Sequence, residues 1–341
     1  MQQEEIMKPG KLSQTVWNRS VQKQLNRDQE HAFLLHPSKA EMCTAMRPGP
    51  GRLSLTASAS VFGQAPSLGV YAVASAVNDL AARGAQPMGI TAQITLPAEA
   101  EEPFLKELLR QMEGLCRRLD ISIAGIQAEV SPAVTQAMLQ VTALGQAKGD
   151  GLLRLADAAP GQDIVLCGYI GLEGMLRILD ECRGELGRRF APGFLRQAKA
   201  LEDRLIQLEA IRIASGFATA MQQVGSGGIL GTLWEVAEAA HVGLAADLKK
   251  MSIRQETVEI CEYYHLNPYQ MTSAGCILMI TEHGERLVQA LNRGGARAGV
   301  LGATTAGNAR VVTSGEERRF LDRPAPDELM RWWTKRLSET G

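Results

Sequence analysis

The chain has 341 residues, 45% of them hydrophobic, which is enough to bury a sizeable core and to form two domains. Its 36 basic and 37 acidic residues leave a formal net charge of −1, which excludes an electrostatic case for nucleic acid or for an anionic membrane surface. The N-terminus, MQQEEIMKPGK, is acidic and then basic with no apolar run, so a secretory signal is not expected.

In chain order, RLSLTAS (52–58) predicts a strand. Residues 68–83 predict a helix in which Leu68, Tyr71, Ala72, Ala76 and Leu80 follow helical spacing, with Gly84 at its end and Pro87 just beyond. GITAQITL (89–96) reads as a strand and residues 101–120 as an amphipathic helix with Phe104, Leu108, Leu115 and Leu119 in its apolar stripe. Two more strands follow at 121–130 and 136–147. This order implies an α/β layer with helices on one face. KGDGLLRLADAAPGQ (148–162) has the Gly, Asp and Pro of a boundary. The expected division is therefore an N-terminal arm (1–34), a first domain (35–150) and a second domain (151–341).

The second half opens with a strand at DIVLC and a turn at GYIGLEG (168–174). Helices are expected at about 172–182, 192–209 and 211–222, then at ILGTLWEVAEAA (229–240) after the loop VGSGG. The tail from Ala274 reads strand, helix, strand, strand.

Residues 53–78 carry no charged side chain, yet Gln64, Pro66 and Asn78 make the stretch a poor membrane span. Asn78 and Asp79 then arrive together near the end of a helix that otherwise reads as buried. An amide and a carboxylate in that setting must be hydrogen-bonded or must hold a cation. The six cysteines (43, 116, 167, 182, 261, 276) include no C-x-x-C pair, so buried reduced thiols in a cytoplasmic protein are expected. His31 and His36, five apart, do not share a helix face and read as surface or loop residues.

The common nucleotide motifs are absent. There is no G-K-[ST] and no G-x-S-x-G. GSGGILG (225–231) has its third glycine one residue late for a dinucleotide loop and is expected to follow a helix, not a strand. What remains is a glycine-rich loop feeding a helix N-terminus. Its free N–H groups would favour an anion, or a side chain could cap it.

VNDLAARGAQP (77–87), together with GYIGLEG, the long segment from Ser226 to Met279 and RPAPDELMRWW (323–333), resembles the aminoimidazole ribonucleotide (AIR) synthetase superfamily. Within that group it is most similar to the hydrogenase-maturation carbamoyl dehydratase branch. The resemblance spans about residues 35–333. It implies a two-domain α/β (α+β) AIR synthase-like fold with a helix-rich mixed α/β second domain. It also implies a homodimer whose first-domain strands form a shared barrel, and Mg–ATP held by aspartates in a cleft across the subunits.

On that resemblance Asp79 matches a position that helps hold the metal–nucleotide, and Asn78 supports it. The other acidic positions depart from the pattern. The paired aspartates of the family's first loop fall near KAEMC (39–43), where Glu41 is the remaining carboxylate. The strand-ending aspartate becomes Ser58. The G-G-D-T loop becomes GIQA (125–128), with Gln127 for aspartate. The H-D-x-T-[ER]-G-G loop becomes QQVGSGG (222–228), with Gln222 for histidine, Gln223 for aspartate and Ser226 in the polar pair, while Gly227 and Gly228 remain. Magnesium prefers anionic oxygen. A unit charge about 4 Å from a dication is worth roughly 8 kcal/mol at an effective dielectric near 20, before desolvation. Three such losses would remove useful Mg–ATP binding.

The family's hydrogenase-maturation enzyme carries its substrate on a C-terminal cysteine. This chain ends KRLSETG, and its last cysteine, Cys276, falls in a predicted strand. The reading that follows is a non-catalytic binding or assembly factor, with a protein partner in metalloenzyme maturation, a degenerate ATP site and weak ATP and Mg binding. The rival readings are an active ATP-dependent enzyme with relocated ligands among Glu41, Asp79, Glu129 and Glu173, or a phosphotransferase resembling thiamine monophosphate kinase.

Overall fold

The computed structural model describes residues 10–11, 14–25 and 49–340. His31, His36, Glu41 and Cys43 lie outside them. The chain forms two compact units. One contains the described residues up to Leu80 together with Ala85–Gly151, and the other contains Ala81–Gly84 and the chain from Leu152.

The first unit comprises β1 (Gly10–Lys11), α1 (Gln14–Val16), β2 (Arg52–Gly63), α2 (Leu68–Ala81), β3 (Gln86–Leu96), α3 (Glu102–Arg118), β4 (Ser122–Val130) and β5 (Ala137–Lys148). Its sheet has the order β1-β4-β3-β5-β2, with β3 and β4 parallel and the other neighbours antiparallel. Helix α3 is the crossover between the parallel pair, as a parallel connection requires. Alternation sorts the strands into two faces. Ile90, Ala92, Ile94, Ile126, Ala128, Leu139, Val141 and Ala143 point into the core. Ser54, Thr56, Ser58, Ser60, Gln93 and Gln140 point outward and are exposed. In α2, Leu68, Tyr71, Ala72, Ala76 and Leu80 are all buried, as their spacing predicts.

The second unit comprises β6 (Asp163–Cys167), α4 (Leu172–Glu181), α5 (Arg183–Arg189), α6 (Pro192–Ala200), α7 (Leu208–Ala214), β7 (Ala218–Gln223), α8 (Gly228–Ala240), β8 (Gly243–Asp247), α9 (Gln255–Tyr264), β9 (Ile277–Thr281), α10 (Gly284–Arg293), β10 (Ala298–Thr305), β11 (Arg310–Ser314), β12 (Glu317–Phe320) and α11 (Glu328–Thr340). The sheet order is β12-β11-β8-β10-β6-β9-β7. The uninterrupted apolar runs of β6 and β9 are buried on both faces. Ile164, Leu166, Leu278 and Ile280 meet Ile229, Leu233 and Val236 of α8 on one side. Val165, Cys167, Ile277 and Met279 meet Ile211 of α7 and Leu287 and Leu291 of α10 on the other. The result is a sheet between two helical layers.

Three expectations need correction. Residues 192–209 and 211–222 were each expected to be one helix; the first ends at Ala200, with a short 3-10 turn at Leu201–Arg204 before α7 begins at Leu208. The second stops at Ala214, Ser215 and Gly216 turn the chain, and 218–223 is strand β7 against β9. Pairing along β9 outweighs the weak helical preference of ATAMQQ, an override that local pattern does not show. The glycine loop therefore follows a strand. It is still not a dinucleotide-binding βαβ unit, because β7 and β8 are separated in the sheet by β9, β6 and β10. Finally, β2 continues past Ser58 to Gly63, and β12 forms a hairpin with β11 that the sequence reading omitted.

Cys116, Cys167, Cys182, Cys261 and Cys276 are free and buried. Burial pushes the Cys167 and Cys261 thiols up to about 12. Cys276 precedes β9 and is not inside it. Among the described residues no helix is long and apolar enough to cross a membrane.

The register of β10 against β6 shifts between Val300 and Gly302. A Cβ at Gly302 would collide with the carbonyl oxygen of Ala245 and lie 3.0 Å from the Cα of Ala246. Gly302→Ala should therefore destabilise the protein by about 3 kcal/mol, measured by urea denaturation.

Candidate functional site

Helix α2 delivers Asn78 and Asp79 to its last turn. Asn78 is fully buried, Asp79 is half-buried, and both are engaged by neighbours. The helix stops where Gly84, at φ 84°, donates its N–H to the carbonyl of Ala81 at 2.8 Å. The left-handed conformation suits glycine at that position. Arg83 next to it donates to the carbonyl oxygen of Met221 at 2.6 Å and also bonds the Gln222 side chain.

Ser58 and Gln127 do not sit at a strand end or in a loop, as the family match implied. Both are mid-strand, in β2 and β4, on the outward face of the five-stranded sheet. Ser58 is exposed, and its hydroxyl shares a 2.8 Å hydrogen bond with Thr142 of β5. Register places Ser58 opposite Thr142, Thr142 opposite Thr91, and Thr91 opposite Gly125. In the neighbouring row Gln127 faces Gln93, and Gln93 faces Gln140. Three strand spacings separate Ser58 from Gln127, about 14 Å, so the two cannot touch one cation within a subunit. The outward face is a lattice of hydroxyls and amides. Glu129 lies on the same strand as Gln127, half-buried, opposite Thr95 of β3 and Lys11 of β1. Among the described residues no group of three or more His, Cys, Asp or Glu is placed to hold a metal ion. Glu41 lies outside the described residues.

The second unit holds Gln223, Ser226, Gly227 and Gly228. Gln223 ends β7, is buried, and its Oε1 accepts from the Gly275 N–H at 3.5 Å. Ser226 is exposed. Gly227 and Gly228 both have positive φ, 82° and 65°. A Cβ on Gly228 would lie 2.6 Å from the backbone nitrogen of Met271, so both conformation and space require glycine there.

The loop is not open to an outside anion at Gly227. Its N–H donates to the Oδ2 of Asp327 at 2.7 Å, and the other oxygen of that carboxylate accepts from Leu329 at 2.8 Å. One buried carboxylate thus satisfies the N-terminal turns of both α8 and α11. Burial pushes the Asp327 carboxyl above the usual range and nearby Glu173 adds to the rise. The N–H groups of Gly227 and Leu329 oppose it. Helix α11 is anchored by buried Trp332 and Trp333, with Trp332 edge-on to Tyr264. The sequence reading missed Asp327. An aspartate just before the periodic run LMRWW is an N-cap signal, but nothing local points from it to Gly227.

Glu173, in the first turn of α4, is buried and committed. Its carboxylate accepts from Thr272 Oγ1 at 2.7 Å and from the Ala274 N–H at 3.1 Å, and Arg177 stands 3.5 Å away. It braces the turn that precedes β9 and leaves little free to coordinate a metal.

Two mixed α/β units, a glycine loop opening α8 and the N-D pair on α2 define a class of protein. The AIR synthase related N-terminal domain model matches residues 54–147, and the corresponding C-terminal domain model matches residues 159–314. The chain belongs to the AIR synthase related family. Among its relatives, a protein of Methanocaldococcus jannaschii named for hydrogenase expression/formation is 24% identical over 276 residues, 80% of each chain. The carbamoyl dehydratase HypE of Rhodobacter capsulatus is 27% identical over 278 residues, 77% of this chain and 78% of that one. The crystal structure of E. coli HypE, a hydrogenase maturation protein, superposes with a TM-score of 0.73 at 17% identity, covering 94% of this chain and all of that one. HypE in complex with ATP gives 0.65 at 18% identity, covering 84% and 89%.

Asp327→Ala leaves the Gly227 N–H without its acceptor and should cost about 2 kcal/mol of unfolding free energy in urea. The raised carboxyl fixes the sign of a second effect. Its stabilising contribution is fully present below the ordinary carboxylate range and declines as pH rises through the raised value. The parent chain should therefore gain stability relative to Asp327→Asn as pH is lowered from neutral to mildly acidic.

Proposed function

We propose that this chain is a hydrogenase-maturation-like member of the family whose Mg–ATP site has been dismantled, and that it serves as a homodimeric, non-catalytic binding or assembly factor for a protein partner in metalloenzyme maturation. The observation that carries this reading is the chemistry of the donor set. At the positions matched to the family's aspartates stand Ser58, Gln127 and Gln223, all neutral, with Asp79 the one described carboxylate retained. Magnesium bound to nucleotide needs several anionic oxygens to offset its dehydration. These residues do not fit Mg–ATP, and no catalytic step is assigned through it.

Two further features support the reading. Gln223 is buried, and the Gly227 N–H is occupied by a carboxylate from the chain itself. The naming of the relatives for hydrogenase formation supports the maturation context. The domain division at about residue 150 and a cytoplasmic location belong to the same proposal.

The dimer rests on β2. It is an edge of the five-stranded sheet, twelve residues long, and beyond Arg52 it carries no charge. Leu53 near its start is 42% exposed, and Met138 of β5 is 47% exposed. Long uncharged edges are prone to pair, and a second copy would cover this one. Sedimentation should give a dimer at micromolar concentration; a monomer would count heavily against the shared barrel.

The rival reading, a working ATP-dependent enzyme of the superfamily, draws on Asp79 and on the fold shared with an ATP-bound HypE. Calorimetry with ATP and Mg²⁺ separates the two. The unmodified chain should show no saturable Mg–ATP binding and no Mg²⁺-dependent hydrolysis. Ser58→Asp, Gln127→Asp and Gln223→Asp together should strengthen binding, and Asp79→Ala added to them should abolish the gain. Micromolar Mg–ATP binding by the unmodified chain would establish the enzyme reading instead.

A further inference from the structure

A second concave site lies in the second unit, built from residues that the family comparison does not single out. It is a pocket of about 850 Å³ at the head of the loop between β8 and α9. Its wall carries Lys249, Lys250, Arg254 and Arg297 with one carboxylate, Glu256, a local excess of three positive charges on a chain of net charge −1. Arg254 is accounted for. Its guanidinium bonds Glu256 at 3.2 and 3.1 Å and lies over the Tyr169 ring, 5.6 Å from the centroid. Among the described residues, the side chains of Lys249, Lys250 and Arg297 have no carboxylate partner.

The backbone around these cations is pinned. Asp247 accepts from the Lys249 N–H at 2.9 Å and sets the turn that carries both lysines. Ile170 donates to the carbonyl of Ser252 at 3.0 Å, and Gly168 donates to the carbonyl of Arg297 at 2.8 Å. Three separate segments, around Tyr169, the lysine loop and Arg297, are therefore hydrogen-bonded into one frame. Helix α9 begins at the same wall with Gln255, which brings the positive end of its dipole to the pocket. Like charges gathered in a concavity repel one another, and a bound anion would relieve that repulsion. The lining is mostly polar, and the volume lies within the range of small-molecule sites.

We infer that this pocket binds a small polyanion through Lys249, Lys250 and Arg297, with Arg254 held in place by Glu256 and Tyr169. The ligand class is a compound bearing phosphate groups or clustered carboxylates, bound without magnesium. The inference is independent of the fate of the ATP site.

The test is calorimetry on the full chain in magnesium-free, low-salt buffer, with inorganic pyrophosphate as one probe and citrate as the other. Saturable one-site binding of either probe is expected, pyrophosphate assigning phosphate chemistry and citrate alone assigning carboxylate chemistry. Lys250→Ala combined with Arg297→Ala, both at exposed positions, should weaken binding by about tenfold or more. Arg188→Ala combined with Arg212→Ala removes the same number of exposed cations away from the pocket and should leave it unchanged. An absence of saturable heat with both probes, or an equal loss in the two double variants, overturns the proposal. Failure of Mg–ATP binding has no bearing on it.

Discussion

A buried carboxylate has to be satisfied by whatever surrounds it, and Asp327 does this by joining two helix starts. Its two oxygens take the N–H of Gly227 and the N–H of Leu329, so the glycine loop and the C-terminal helix hold one another in place. Each helix would otherwise leave an N-terminal donor buried and unpaired. The glycine geometry follows from the same arrangement. Gly228 lies against the backbone of Tyr269 to Met271, where no side chain has room, and Gly227, also at positive φ, donates its N–H to the carboxylate. Glu173 lies near enough to raise the Asp327 carboxyl and braces Thr272 and Ala274, so the two acids stabilise adjoining turns.

The Asp327 carboxylate gives the glycine loop an acceptor from within the chain. A helix N-terminus accepts any well-placed negative oxygen, whether from a ligand or from the chain. Here the chain supplies it. The glycines of QQVGSGG therefore have a structural role of their own, set by the Asp327 carboxylate and by the backbone of Tyr269 to Met271.

The five-stranded sheet makes a related point. Its inner face is packed with aliphatic side chains, and its outer face carries Ser, Thr and Gln in register across four strands. Hydroxyl and amide groups can satisfy one another there, as Ser58 and Thr142 do, without a cation. A carboxylate at Ser58 or Gln127 would add charge to a face whose central rows are hydroxyls and amides, with Glu129 two residues from Gln127 on β4. Neutral side chains at Ser58 and Gln127 are therefore compatible with the fold.

Much of the fold was legible in the sequence. The strand and helix order of the first half, the buried face of α2, the apolar runs of β6 and β9 and the start of α8 all follow from periodicity and capping, which act over a few residues. The glycines at 227 and 228 and the Asn78–Asp79 pair were legible as unusual residues for their settings. Tertiary structure alone decided the rest. ATAMQQ became a strand because β9 offered it a partner. Ser58 proved to be mid-strand because β2 runs on to Gly63 against β5, and Gln127 lies in the strand that the sequence predicts, not in the loop that the family match implied. Asp327 met Gly227, and Arg297 joined Lys250, because chain segments a hundred and about fifty residues apart were brought together by packing. Local pattern encodes which element forms; which elements meet depends on burying all of them at once.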